Sequence, residues 1–223
     1  MKSNKIKLTA LFMAVVMCFA NYSFACTNFL ITKGASKDGS TMVTYAADSH
    51  TLYGELYYNR AAQYPEGTMI QVIDWDSGKP LIQIPQVANT YTTVGNMNQW
   101  GLAIAETTYG GREELVDTTG GIDYGSLIYL TLQRAKNARE AIKQIAEFVD
   151  TYGYYSSGES FSIIDENEVW IMELIGKGAS VYNKKGKIDK RWTKGAVWVA
   201  MRVPDGYISG HANHARITTF AQE

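Results

Sequence analysis

Cys26 stands directly behind a leader-like segment and is the only cysteine outside it, which decides how the rest of the chain can hold a fold. Basic Lys2, Lys5 and Lys7 precede an apolar run from Leu8 to Ala20, and Ser23-Phe24-Ala25 supplies a small-x-small cleavage pattern. The run is shorter than the about 20 residues that a spanning helix needs. Residues 1–25 therefore read as a signal peptide, and a cut after Ala25 would put Cys26 at a new amino terminus. Cys18 falls in the discarded run, so Cys26 has no intramolecular partner. An exported chain without a disulfide must be held by its core. The 198 residues that follow the cut, in a chain that is 46% apolar, suffice for one globular domain.

Because the leader carries three lysines and no acid, its removal takes the formal charge from −1 to −4. No basic patch for nucleic acid is visible, and no later segment is long and apolar enough to span a membrane. The three histidines lack ligand spacing and no cysteine cluster exists, so neither a metal nor another cofactor is expected. Gly110-Gly111 and Gly120-Gly121 read as loop ends rather than phosphate cradles. A signal followed by cysteine also suits a lipid anchor. Ser23, where lipoprotein signals want an aliphatic residue, and bulky Phe24 favour ordinary cleavage. A buried structural cysteine in a first strand is the other plain reading.

Strand-like runs separated by turn formers cover Thr27 to Thr32, Thr41 to Ala47, Tyr53 to Tyr58, Met69 to Trp75, Tyr91 to Met97 and Gly101 to Thr107. The turn-rich segment from Lys33 to Ser40 predicts that the first two pair as a hairpin, bringing Cys26 and Asp48 to one end. From Asp123 to about Tyr152 the spacing becomes helical in two pieces, with Asn137 and Glu140 as a capping box between them. Strands are expected again over Phe161 to Ile164, Val169 to Leu174, Ala179 to Tyr182 and Ala196 to Met201, with a turn at Asp165-Glu166-Asn167. Sheets packed against helices follow, an α+β arrangement without internal repeat or linker.

A free amino-terminal cysteine carries a base and a nucleophile on one residue. An α-amine titrates near 7.7 to 8.0 and a thiol near 8.5, so the amine can accept the thiol proton close to neutral pH. No histidine is required for that, although His50, His211 and His214 remain alternative bases for a Cys-His pair.

Six segments carry a resemblance: Cys26-Thr27-Asn28-Phe29-Leu30, the Lys37 to Thr41 turn, Tyr45 to His50, Asn98 to Ile104, Glu168 to Glu173, and His211-Ala212-Asn213. Together and in this order they resemble the dipeptidase-A-like family, the cysteine-peptidase branch of the N-terminal nucleophile hydrolases, related to secernins, penicillin V acylases and conjugated bile-acid hydrolases. The resemblance implies a four-layer αββα sandwich over residues 26–223 and hydrolysis of dipeptides. It implies Cys26 as nucleophile with its own amine as base, Asp48 orienting that amine, and Asn213 donating to the oxyanion. Thr108 falls near a second oxyanion position.

Tyr45 departs from the pattern, since relatives commonly place an arginine there, and the charge balance around Cys26 must then be met otherwise. Tyr45, Thr108 and Glu106 are expected to contact substrate, and Glu106, Glu159 or Asp123 could meet the ammonium of a dipeptide. Family members are usually longer, so the chain is expected to be incomplete at its C-terminus. The sequence thus predicts an exported, periplasmic or extracellular bacterial dipeptidase acting on small peptides, with its oligomeric state open. The alternatives are a linear-amide acylase of penicillin V or bile-acid conjugate type, and a non-catalytic lipoprotein anchored through Cys26.

Overall fold

A computed structural model describes residues 26–48, 53–180, 185, 187–189 and 192–219. The leader, His50 and the second half of the strand expected at 179–182 lie outside the described residues; Ala179 and Ser180 are not strand.

Twelve strands and two α-helices are found among the described residues: β1 (Thr27–Ile31), β2 (Met42–Ala46), β3 (Tyr58–Asn59), β4 (Met69–Ile73), β5 (Pro80–Pro85), β6 (Thr93–Val94), β7 (Met97–Asn98) and β8 (Ala103–Gly110), then α1 (Tyr124–Leu132) and α2 (Ala138–Tyr152), then β9 (Gly158–Ile164), β10 (Val169–Gly176), β11 (Ala196–Arg202) and β12 (Ile208–His211). They form a seven-stranded sheet in the order β11-β10-β9-β8-β7-β6-β3, a three-stranded sheet in the order β12-β1-β2, and a β4-β5 ribbon. Every pairing within the sheets is antiparallel.

Residue alternation along the central strands divides the core in two. Ile104, Phe161, Ile163, Met172 and Leu174 face the helices, joined by Leu127, Leu130, Ile145 and Phe148. Ala103, Ile164, Val169 and Ile171 face the other way and meet Leu30 of β1, Val43 of β2 and Val203. Because β9 is buried on both faces along its whole length, it is the middle of the stack. Each fully buried leucine or isoleucine there contributes roughly 1.5–3 kcal/mol. The result is an α+β sandwich with a helical layer and two stacked sheets. Of the four expected layers, these three lie among the described residues, and no helix there covers the three-stranded sheet.

The helices form where the spacing predicts. Asp123 caps α1 by accepting from the amides of Gly125 and Ser126, and Asn137 caps α2 by accepting from Glu140. Glu140 reaches back to the Lys136 amide at 2.8 Å, one residue before the cap. Helix α1 is buried almost all round, since the β4-β5 ribbon contributes Val72 and Ile84 to the same core.

Two further strand expectations change. The run from Tyr53 is irregular and exposed except for the short β3, and the run from Tyr91 breaks at Gly95-Asn96 into the β6-β7 hairpin. Two strands lacked a sequence signal: β5, which begins and ends on proline, and β12, which pairs with β1.

Between the two sheets sits a polar clasp. Asn28 donates to Ser162 Oγ at 3.0 Å, and Ser162 Oγ is 2.9 Å from His211 Nε2. Burial, aided by the charge of Arg216, pushes the His211 imidazole down to about 4. Folded His211 therefore stays neutral through the range in which an unfolded histidine takes up a proton. Its contribution is present above about pH 6.5 and is lost as the pH falls towards 4. Urea titrations should show wild type losing roughly 2 kcal/mol more than His211→Gln between pH 7 and pH 4.5; equal losses would contradict a neutral buried imidazole.

Candidate active site

The hairpin of β1 and β2 places Cys26. Thr27 pairs with Ala46, so Cys26 lies beside the end of β2 and next to Asp48. The register is set by the intervening turn, where Asp38 Oδ1 accepts from the Ser40 amide at 3.1 Å and Gly39 supplies a φ of +76°. The Asp48 backbone and the Asn213 side chain lie close enough to the Cys26 sulfur to favour its ionised form. The Asp48 side chain is exposed. Cys26 is buried and unpaired.

A free strand edge explains why these groups meet. The β7 strand pairs with β8 only at Met97 and Ala103, so further along the outer edge of β8 has no strand beside it among the described residues. Unpaired edge carbonyls need other donors. Asn28 Nδ2 donates to the Glu106 carbonyl at 3.1 Å, and Asn213 Nδ2 donates to the Thr108 carbonyl. One amide fixes the strand that starts at Cys26, and the other fixes the proposed oxyanion donor. The second proton on Asn213 Nδ2 is left for another acceptor. Beyond Asn213, the buried Glu173 carboxylate accepts from the backbone amides of Arg216 and Ile217 and so holds the segment in place.

Sequence reasoning had quoted Asn28 and Glu173 inside motifs without giving either a role. Their signal was weak, because an asparagine and a glutamate inside strands read as surface residues until the sheet edge is known. Thr108 is brought to the site, but by its carbonyl towards Asn213 and by its hydroxyl, which donates to Glu159 Oε2 at 2.9 Å.

Around Cys26 the charges are negative. Tyr45 Oη donates to Glu106 Oε1 at 2.6 Å. Glu106 hydrogen-bonds to Glu159, and both are buried. Total burial, followed by the charge of Glu106, holds the Glu159 carboxyl well above the usual carboxylate range, so Glu159 keeps its proton. Desolvation and the nearby Glu106 and Asp48 charges push the Cys26 thiol up, against the opposing effects of the Asp48 amide and Asn213. The same surroundings raise Tyr45. These surroundings therefore favour the neutral thiol over the thiolate.

Asp123 does not serve the site as expected. Its Oδ2 accepts from Trp75, Gly125 and Ser126, which makes it a cap that ties the β4-β5 ribbon to α1. His211 belongs to the clasp between the sheets rather than to Cys26. Among the described residues, no group of three or more histidine, cysteine, aspartate or glutamate side chains could hold a metal ion, and no helix is long and apolar enough to cross a membrane.

The comparisons with known proteins agree in kind. The model of peptidase family C69 matches residues 25–223. A probable dipeptidase A of Streptococcus pyogenes serotype M18 is 27% identical over 223 residues, covering 88% of this chain and 41% of that protein. Dipeptidase A of Lactobacillus helveticus is 27% identical over 216 residues, with 87% and 41% covered. The chain thus spans about two fifths of the length of these relatives. Among solved structures, penicillin V acylase from Agrobacterium tumefaciens gives a TM-score of 0.40 at 14% identity, over 79% of this chain and 49% of that one.

The charge surroundings of Cys26 make a measurable claim. Alkylation of the unprocessed chain by iodoacetamide should rise only at pH values above the ordinary thiol range, and Glu106→Gln should move the profile to lower pH. An unshifted profile in that variant would remove Glu106 from the neighbourhood of the sulfur.

Proposed function

The chain belongs to peptidase family C69, and on that premise we propose that it is a cysteine dipeptidase, exported to the periplasm or cell exterior and activated by removal of residues 1–25. The observation that carries this reading is the placement of Cys26 at the start of β1, beside the end of β2, with Asn213 anchored on the Thr108 carbonyl at the free edge of β8. Residues 26–223 make up the hydrolase domain, or the part of it that this chain holds.

Cleavage before Cys26 converts its backbone nitrogen from an amide into an amine, which can accept the thiol proton on the same residue. Asp48, at the adjacent end of β2, orients that amine. The sulfur attacks the peptide carbonyl, and the remaining Asn213 N–H stabilises the tetrahedral oxyanion together with a backbone donor. The amine returns the proton to the leaving amino group, which departs as a free amino acid. The thioester left on Cys26 is opened by water that the same amine deprotonates. Preorganised neutral donors suit this site, because the burial that raises the thiol also strengthens every dipole aimed at the oxyanion.

An acylase acting on apolar acyl amides would use the same centre. The buried Glu106 and Glu159 beside it weigh against that reading, since an apolar acyl group offers them nothing. An anchoring role for a lipidated Cys26 would leave the converging donors without a purpose.

The test is a panel of free dipeptides offered to the processed protein. Cys26→Ala should abolish release of amino acids, and Asn213→Ala should lower kcat by about 10² to 10³. A Cys26→Ala protein that still hydrolysed dipeptides would overturn the assignment.

A further inference from the structure

Glu106 and Glu159 are buried acids for which the hydrolytic scheme above has no task. Glu106 is 3% exposed and Glu159 fully buried. They sit on neighbouring strands, with Thr108 directly opposite Glu159 and Glu106 opposite Phe161. Their oxygens are only partly served: Tyr45 Oη gives Glu106 Oε1 a hydrogen bond at 2.6 Å, Thr108 Oγ1 gives Glu159 Oε2 one at 2.9 Å, and the Ser160 amide lies 3.3 Å from Glu159 Oε1. Glu106 Oε2 is buried with no hydrogen-bond partner. No arginine or lysine among the described residues forms an ion pair with either acid. The other ionisable groups facing the pair are the phenols of Tyr45, Tyr109, Tyr124 and Tyr154, none of which brings a positive charge.

A buried negative charge without a counter-ion costs several kcal/mol unless something compensates it. With Glu159 neutral, Glu106 is the acid of the two whose charge opposes thiolate formation at Cys26. The missing cation should then be monovalent, should donate hydrogen bonds, and should come within a few ångströms of the sulfur. A protonated α-amine meets all three conditions, since it lies two bonds from the carbonyl that the sulfur attacks.

We propose that Glu106, backed by Glu159, is the subsite for the protonated α-amine of the substrate's first residue, with Glu106 Oε2 as the open acceptor and Tyr45 Oη steadying the carboxylate. The pair thereby selects substrates with a free amino terminus. It also lets the substrate bring the positive charge that the surroundings of Cys26 lack: once the ammonium sits on Glu106, the carboxylate no longer opposes the thiolate. Glu159 acts through Glu106 by staying neutral beside it and leaving the charge there, and Thr108 links it to the carbonyl that anchors Asn213. The inference deepens the dipeptidase reading and rests on it for the position of the scissile carbonyl.

The test is binding rather than turnover. Calorimetry on the processed Cys26→Ala protein should show L-leucyl-L-leucine binding at least tenfold more tightly than N-acetyl-L-leucyl-L-leucine at pH 6.5, with the preference fading as the pH rises through the range of the amine, about 7.7 to 8.0. In the Cys26→Ala/Glu106→Gln protein the preference should collapse, because glutamine can still accept from Tyr45 but carries no charge. Glu159→Gln should cost less than Glu106→Gln. Equal affinity for the two peptides, or no measurable affinity for the free-amine form, overturns the proposal, and that comparison holds even if the Glu106 variant fails to fold. Absence of dipeptide hydrolysis by the wild type would instead remove the assigned reaction while leaving a measured amine preference standing.

Discussion

The arrangement depends on the unpaired outer edge of β8. A strand edge inside a folded domain leaves carbonyls that must find donors, and here two asparagine amides supply them at Glu106 and Thr108. Asn28 belongs to the strand that begins at Cys26, and Asn213 follows the strand that pairs with it on the other side. A backbone requirement is thus met by the same side chains that hold the strand of Cys26 and the segment of Asn213 against β8. The β1 strand could not slide by one residue without losing the Glu106 bond and turning Leu30 away from the core between the sheets.

Electrostatics make the site dependent on what arrives. Burial disfavours the thiolate, and the charges of Glu106 and Asp48 disfavour it further. A site of this kind stays quiet until it is supplied with a base on one side and a cation on the other. Processing would provide the first and a free-amine substrate the second, so neither the leader-bearing chain nor an unsuitable ligand would meet a reactive sulfur. The substitution of tyrosine at position 45 fits this picture, because its hydroxyl holds Glu106 in place without neutralising it.

Much of this was legible in the chain. The hairpin of β1 and β2, both helices, the Asn137 cap of α2 and the central strands follow directly from periodicity and turn chemistry. The strand β12 was not legible, because Ile208-Ser209-Gly210-His211 has little strand character of its own; Gly210 is there because the Phe29 ring of β1 occupies the space a side chain would need. The aromatic run from Tyr53 misled in the opposite sense, having the residues of a strand but no partner to bury them. Motif order puts Cys26, Asp48 and Asn213 among the candidate residues, whereas the contacts of Asn28 and Glu173 emerge only from the tertiary structure. Asn98 shows the limit of motif reading: it is buried with both of its side-chain polar atoms bonded, donating to Leu132 and Ala135 and accepting from Trp100 and Leu102, so it secures the end of α1 rather than the chemistry.

The central claim is that the base resides on the backbone nitrogen of Cys26. It is tested most directly by comparing, at equal concentration and with intact masses verified, protein that begins at Cys26 with protein that retains Ala25 alone. The single extra residue leaves the sulfur, Asn213 and Glu106 in place but turns the amine back into an amide. Dipeptide hydrolysis should fall by about 10² to 10⁴, the usual contribution of a positioned base. Equal rates for the two forms would contradict the account.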